Sequence, residues 1–300
     1  MPVGPDYPFE LGDLWDPGQR ASRLRDLLTA GDDLTVEDVE AAQRDDLSAL
    51  APLLLPPLLA VRLDAGYADD GQRLLRDWDL RQPAGSAPAA YLNATWRELL
   101  AATFHDELPP AVWPDGGPRW FGVVAALLER PDDPWWDDVT TERVERRDDV
   151  LRAALLEAHD DLVRRQAQDP ARWTWGHQHR LVLTSPGLVG DGAALGLARR
   201  VVEPDHWEVG GGPGSVDATA WDPTQGFDVT TGPSMRMVLS LADWDDSTWV
   251  ALTGVSGHPT SSHYTDQTDL LVRGESLPFL FTRDAVAEAA EDELTLRPAP

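Results

Sequence analysis

Three short stretches near the C-terminal end decide the fold: GPSMRMV at residues 232–238, TGVSGHP at 253–259 and HYTDQ at 263–267. The first has the alternation that is typical of a strand after a Gly-Pro turn. The second is similar to the turn that presents a nucleophilic serine, but that turn needs glycine two residues after the serine. His258 stands at that position. Composition and spacing alone therefore indicate an acidic α+β protein and assign no chemistry.

The surrounding sequence predicts strands after Pro170, where Gly, Pro and Asp separate short runs rich in apolar and β-branched residues. A helix is predicted near the end of the chain, over residues 283–291, because apolar residues recur there with helical spacing. The predicted strands are residues 180–184, 215–220, 235–241 and 248–252.

The first half of the chain has the 3.6-residue apolar period of amphipathic helices. Thr35 with Asp38 three residues later predicts a capped helix start, and Pro52 limits that helix. We therefore expect one α+β domain over residues 1–300, mostly helical over 1–170 and mostly strand over 171–300. The remaining predicted helices are residues 20–30, 89–104, 120–128 and 141–167.

The chain carries 52 acidic and 25 basic residues, for a net charge of -27. This charge argues against a nucleic-acid partner and against anionic membrane surfaces, because both require clustered cations. The absence of cysteine and lysine rules out disulfides, a thiolate nucleophile and a lysine base. No apolar run reaches the roughly 18 residues of a membrane span. The first residues lack the pattern of a signal peptide, and the compartment stays open.

Three further patterns each allow two interpretations. His177 and His179 would share one face of a strand and could ligate a metal, but a structural role is favoured because no matching carboxylates accompany them. The glycine-rich run over residues 210–215 lacks the Gly-Lys-Ser/Thr ending of a phosphate cradle, and a flexible turn is favoured. The 13 tryptophans are interpreted as core residues rather than sugar-binding platforms.

The three opening stretches occur in the order of the C-terminal signature of the penicillin amidase family, which they resemble. WTWGHQH at residues 173–179 resembles a further block of that family. The first fifty residues are similar to it as well, through DYP at 6–8, WDP at 15–17, QRA at 19–21 and LTVED at 34–38. The resemblance therefore extends over nearly the whole chain. It implies an αββα fold of the N-terminal-nucleophile hydrolases.

The resemblance also implies an activity: hydrolysis of N-acyl amides through an acyl-enzyme on an N-terminal serine. This chain begins with Met1-Pro2, so the serine and the oxyanion-hole asparagine are expected on polypeptide outside it, and a separate nucleophile-bearing chain is a candidate partner. By itself the chain is expected to be inactive. The alternatives are an inactive remnant or a binding module that kept the fold. The implied ligand of the full protein is a small N-acyl compound; no cofactor is required, and calcium is allowed with no ligands identified.

Two arginines stand out once the resemblance is taken into account. Arg20 matches a family arginine that supports the oxyanion asparagine and the amino terminus through hydrogen bonds, and a surface helix position is its other interpretation. Ser215 begins a block that is expected to be structural. Arg236 lies in an apolar strand and is expected to be buried, with Asp266 as a candidate partner.

Overall fold

The computed structural model describes residues 6–10, 16–184, 202–203 and 206–298. Two compact units are formed. Unit 1 comprises residues 1–27 and 45–233, and unit 2 comprises residues 28–44 and 234–300. Helices occupy the chain up to Arg165 and the strands begin at Arg180, so the α+β prediction is confirmed. The expectation of a single domain stays a prediction.

Unit 1 is built around a helical core. Two 3-10 turns, at Pro110–Val112 and Pro134–Trp136, connect its longer helices, and a third follows at Pro170–Arg172. The helices are α1 (Gln19–Leu28), α3 (Ala51–Ala60), α4 (Asp70–Leu74), α5 (Ala87–Phe104), α6 (Pro118–Leu128), α7 (Arg147–Arg165) and α8 (Trp175–Gln178), while α2 (Val36–Gln43) lies in unit 2.

Helix α5 is the centre of this core. The side chain of Ser86 caps its first turn by accepting a hydrogen bond from the amide of Ala89. Trp96 is fully buried in the middle of the helix. Helix α7 packs along α5, and the Tyr91 hydroxyl donates to the Leu155 carbonyl at 3.0 Å. Burial of each large apolar side chain contributes about 1.5–3 kcal/mol, so the α5–α7 pair supplies much of the stability of unit 1.

In the described residues, the strands are short and form three small antiparallel sheets. In unit 1, β1 (Arg180–Leu181) pairs with β2 (Trp207–Glu208), and β3 (Ala220–Trp221) pairs with β4 (Val229–Thr231). In unit 2, the order is β5 (Met235–Val238), β6 (Thr248–Ala251) and β7 (Leu277–Pro278). Unit 2 also contains α9 (Asp266–Arg273), a 3-10 turn at Trp244–Asp246 and α10 (Arg283–Ala289).

The predicted first helices are partly wrong. Thr35 does cap a helix, with the reciprocal Asp38 bond of a capping box, but α2 ends at Gln43 instead of running to Pro52. The reason is competition from distant backbone: the amide of Ser48 bonds the Leu80 carbonyl, and the amide of Gln82 bonds the Asp46 carbonyl. Such bonds draw residues 46–48 out of helical geometry although their apolar spacing continues.

Several other boundaries differ from the predictions. Helix α7 begins at Arg147 rather than at 141, and the predicted strand over 215–220 is wrong except for Ala220. The preceding residues are held instead by a turn, with the Ser215 amide on the Gly212 carbonyl, and by a bond from the Asp217 amide to the Asp45 carbonyl. Helix α9 was not predicted, because its eight residues carry only a short amphipathic pattern. Within the described ranges no helix is long and apolar enough to cross a membrane.

Candidate functional site

The three signature stretches converge in unit 2. The amide of Gly254 donates to the Tyr264 carbonyl at 2.9 Å, and the amide of Ser256 donates to the His263 carbonyl at 3.0 Å. Gln267 is buried and its Oε1 accepts from the amide of Ala251 at 2.9 Å. The stretches thus tie the loop after β6 to the start of α9, and their role in this chain is to build a scaffold.

Gly254 is the tightest point of this scaffold. A Cβ added there would overlap the carbonyl oxygen of His263, so only glycine fits between the two loops. The Ser256 hydroxyl accepts from the amide of His258 at 3.1 Å, which closes the loop locally. Among the residues that the structure describes, no base contacts that hydroxyl, so the loop differs from a nucleophile turn in contacts as well as in sequence.

Helix α1 attaches to unit 1 through two arginines spaced three residues apart. Arg23 binds Asp45 through one edge of its guanidinium, with Nε donating to Oδ1 at 2.8 Å and Nη2 donating to Oδ2 at 2.7 Å. Arg20 donates its Nε hydrogen to the Ser215 carbonyl at 2.8 Å. The two terminal nitrogens of Arg20 have no partner in the described part of the chain, and the side chain is exposed. The backbone bond therefore fixes the guanidinium plane while its outer edge stays available.

Asp45 is the electrostatic anchor of this region. It is only 4% exposed. The bonded guanidinium of Arg23 holds the pKa of the Asp45 carboxyl below its usual range, and the charge of Arg81 acts in the same direction. An ionised, paired carboxylate therefore holds α1 in place.

Ser215 connects this anchor to a buried polar network. Its hydroxyl donates to the Leu47 carbonyl at 3.0 Å and accepts from Gln82 Nε2 at 3.2 Å. Gln82 Oε1 in turn accepts from Asn93 Nδ2 at 2.8 Å, and Asn93 Oδ1 accepts from the indole of Trp221 at 3.3 Å. Because each member is satisfied, the carbonyl that orients Arg20 is rigidly supported.

The glycine-rich run wraps around Gln82. Gly211 has φ of +79° and its amide donates to the Gln82 carbonyl, while its own carbonyl accepts from the indole of Trp175 at 3.0 Å. A turn follows at Pro213-Gly214, where φ is +78°. The run contains a turn, as predicted, and its Gly211 and Ser215 amides donate to protein carbonyls.

The two histidines of residues 173–179 do not lie on a strand, so they do not have the shared strand face on which the metal alternative depended. His177 is exposed on α8, whereas His179 is buried and follows the helix. His179 bonds the Phe227 carbonyl through Nδ1 at 2.7 Å and stacks on Trp175 with ring centres 4.4 Å apart. Burial lowers the pKa of His179 to about 4. His179 is a neutral core residue, in line with the structural interpretation.

The described ranges contain no group of three or more His, Cys, Asp or Glu side chains that could hold a metal ion. We therefore assign no calcium ligand among them. Tryptophan burial follows the core interpretation for Trp96, Trp136, Trp173 and Trp175, whereas Trp244 is 45% exposed.

The sequence singled out Arg20, whose role stays a prediction, but gave no indication of the residues that hold it. The Arg23–Asp45 pair and the Gln82–Asn93 contact join segments far apart in the chain, and no local spacing announces them. One signal was present: Asn93 is the sole asparagine of the chain and falls within a predicted apolar helix. A polar residue at such a position indicates a buried hydrogen-bond network.

Comparison with known proteins identifies the family. Residues 1–288 match the penicillin amidase family, and the chain belongs to that family. The chain is 31% identical over 310 residues to the penicillin acylase 2 proenzyme of Pseudomonas sp. strain SE83. It is 27% identical over 330 residues to the acyl-homoserine lactone acylase QuiP of Pseudomonas aeruginosa. Each match covers 99% of this chain and 38% of the relative's length.

The fold agrees with this assignment. A thermostable penicillin G acylase from Alcaligenes faecalis superimposes with a TM-score of 0.56 at 18% identity. The match covers 99% of this chain and 55% of that chain. This chain thus spans only 38% of the length of the two curated relatives and 55% of the solved structure.

Proposed function

We propose that this chain is part of an N-acyl amide hydrolase that reacts through an acyl-enzyme on a serine supplied by polypeptide outside residues 1–300. The serine oxygen would attack the amide carbon, the amine would leave with a proton, and water would then cleave the ester to a carboxylate. The family match over residues 1–288 carries this proposal.

The geometry around Arg20 is consistent with a residue that positions other groups in that reaction. Its Nε is bonded to the Ser215 carbonyl, and its terminal nitrogens have no partner among the described residues. A fixed, exposed guanidinium edge can donate two further hydrogen bonds to carbonyl or amide oxygens. We infer that these donors orient the oxyanion asparagine and the amino-terminal serine of the complete enzyme. Arg20 is thus a positioning residue.

The test is reconstitution. The isolated chain is expected to show no turnover of phenylacetyl or long-chain acyl anilides. After co-refolding with the part of the SE83 proenzyme that this chain does not match, hydrolysis is expected. Arg20→Ala should then lower kcat by about 100-fold, because small misplacements of reacting groups have effects of that size. Arg25→Ala, at an exposed position of the same helix, is the matched control.

Two results would count against the proposal. Steady hydrolysis by the isolated chain that survives repurification and is lost in Ser256→Ala would place the nucleophile within this chain. A correctly refolded complex without any hydrolysis would favour the binding module. If only the Arg20 inference is wrong, Arg20→Ala and Arg25→Ala will have equal kcat.

A further inference from the structure

Two residues of the WTWGHQH stretch, His177 and Gln178, have no role in the proposed function. They line a cavity of about 450 Å³ in unit 1. Three arginines from separate elements reach it: Arg97 from α5, Arg165 from the end of α7 and Arg180 from β1. His177 and Gln178 of α8 form another part of its wall. The volume is within the range of small-molecule sites.

The three guanidinium groups are held from one side. Arg165 and Arg180 each bond a carboxylate through Nε, at 2.9 Å to Asp161 and at 3.1 Å to Asp228. Their terminal nitrogens have no partner in the part of the chain that the structure describes. A guanidinium fixed at Nε presents the paired N–H donors that match a carboxylate or phosphate group.

Arg97 is the most buried of the three, with 19% of its side chain exposed. Its Nη2 bonds Asp161 at 3.0 Å, and its guanidinium carbon lies 4.6 Å from the centre of the Phe227 ring. The other terminal nitrogen, Nη1, again has no partner among the described residues. Stacking and ion pairing together keep this donor at a fixed place in the wall.

The charge balance of the cavity is opposite to that of the chain. Acidic residues outnumber basic residues about twofold overall. Among the residues that line the cavity, three are arginines, Arg97, Arg165 and Arg180, and one, Asp228, is a carboxylate. Guanidinium groups that converge on one cavity repel one another, and an anion between them reduces that repulsion.

We propose that this cavity binds a small oxyanion, a carboxylate or phosphate group, through the terminal nitrogens of Arg97, Arg165 and Arg180. The site is separate from Arg20 and does not depend on amide hydrolysis. Asp228 also lines the cavity, so the site favours a single oxyanion group over a polyphosphate.

Calorimetric titration of the full chain with inorganic phosphate and, separately, with acetate tests the site. Sodium chloride at equal ionic strength is the reference, because a chain of this charge responds to any salt. We expect saturable one-site binding of at least one of the two anions beyond the chloride response, and the tighter of them identifies the preferred group.

The variants localise the effect. Arg165→Gln combined with Arg180→Gln should weaken binding at least tenfold, and both side chains are exposed enough, at 53% and 38%, for the fold to persist. Arg164→Gln is the matched control, since Arg164 contacts Asp161 but does not line the cavity, and it should change affinity less than twofold. Equal affinities for the double variant and the parent, or no binding beyond chloride, would overturn the proposal.

Discussion

Unit 1 and unit 2 hold themselves together in different ways. Unit 1 has a continuous core of buried leucine, alanine and aromatic side chains around α5. In the described part of unit 2 the buried apolar residues are few, namely Ala42, Val238, Val250 and Leu271. Large apolar side chains such as Leu241 and Phe281 are instead exposed there, at 79% and 64%.

The stretches that identify the family nevertheless lie mainly in the weaker unit. Their hydrogen bonds are backbone contacts between loops, and the position of Gly254 admits no side chain. A close backbone approach tolerates few residue types, whereas a core position tolerates several apolar ones of similar size. The loop contacts of unit 2 therefore restrict the sequence more than the core positions of unit 1 do, although unit 2 buries fewer apolar residues.

The sharpest test of this difference is Gly254→Ala. The added methyl would meet the His263 carbonyl, so the loops must separate, and we expect a loss above about 4 kcal/mol from unit 2. Hydrogen exchange should show deprotection of the β5–β6 amides with the α5 amides still protected. Gly257→Ala is the control, because a Cβ there meets nothing within 4 Å. Unchanged exchange in Gly254→Ala would show that unit 2 does not rely on this fit.

Acid should act on unit 1 first. The pKa of His179 is about 4 in the folded chain, lowered by burial from an ordinary value near 6.5. The unfolded chain therefore binds a proton at higher pH than the folded chain does, and stability falls as pH drops from about 6.5 to 4. The loss amounts to roughly 3 kcal/mol.

Urea unfolding at pH 7 and pH 4 measures the acid effect. His179→Gln should flatten the pH dependence within that window, while His177→Gln, at an exposed position, should leave it as in the parent. The described histidines of unit 2, His258 and His263, are exposed as well. Equal slopes for the His179 variant and the parent would remove His179 as the cause.

The third prediction concerns the hydrogen bond that Arg236 makes within unit 2. It is half-buried on β5, and its Nη1 donates to the Leu271 carbonyl of α9 at 2.9 Å. Because the side chain is half-buried rather than buried as the sequence suggested, we expect a smaller loss than on breaking a buried ion pair. Arg236→Ala should therefore cost about 1.5–3 kcal/mol. Arg273→Ala, which removes an exposed pair with Glu275, should leave the thermal midpoint unchanged. Identical midpoints for the two variants would show that the Leu271 contact is dispensable.

The smallest expected effect is that of salt on both units. A net charge of -27 produces self-repulsion that screening reduces, with a Debye length of about 10 Å at 0.1 M. The melting midpoint should rise by a few degrees from low to molar NaCl, and KCl should behave alike. A midpoint that is flat or falls in both salts would contradict a role for charge repulsion.

Helix prediction succeeded where the local signal and the tertiary contacts agree. Residues 89–104 were predicted as a helix, and α5 spans Ala87–Phe104 because its apolar residues fill the core on nearly all sides. The predicted continuation of α2 failed because backbone bonds to residues 80–82 compete with helical ones. The strand over 215–220 failed for the same reason, since Asp45 and Gly212 take its backbone groups. Hydrogen bonds to distant segments cannot be predicted from the spacing of apolar residues along the chain.

By itself, the sequence determined the family and the α+β class, and it suggested a role for Arg20 that stays a prediction. These depend on local residue types and on the order of short stretches along the chain. Only the tertiary structure decided that Ser215 orients Arg20, that His179 is a neutral core residue and that three distant arginines share one cavity. The physical reason is that burial, pKa and guanidinium pairing depend on which remote segments come together, and that information is not contained in residue spacing.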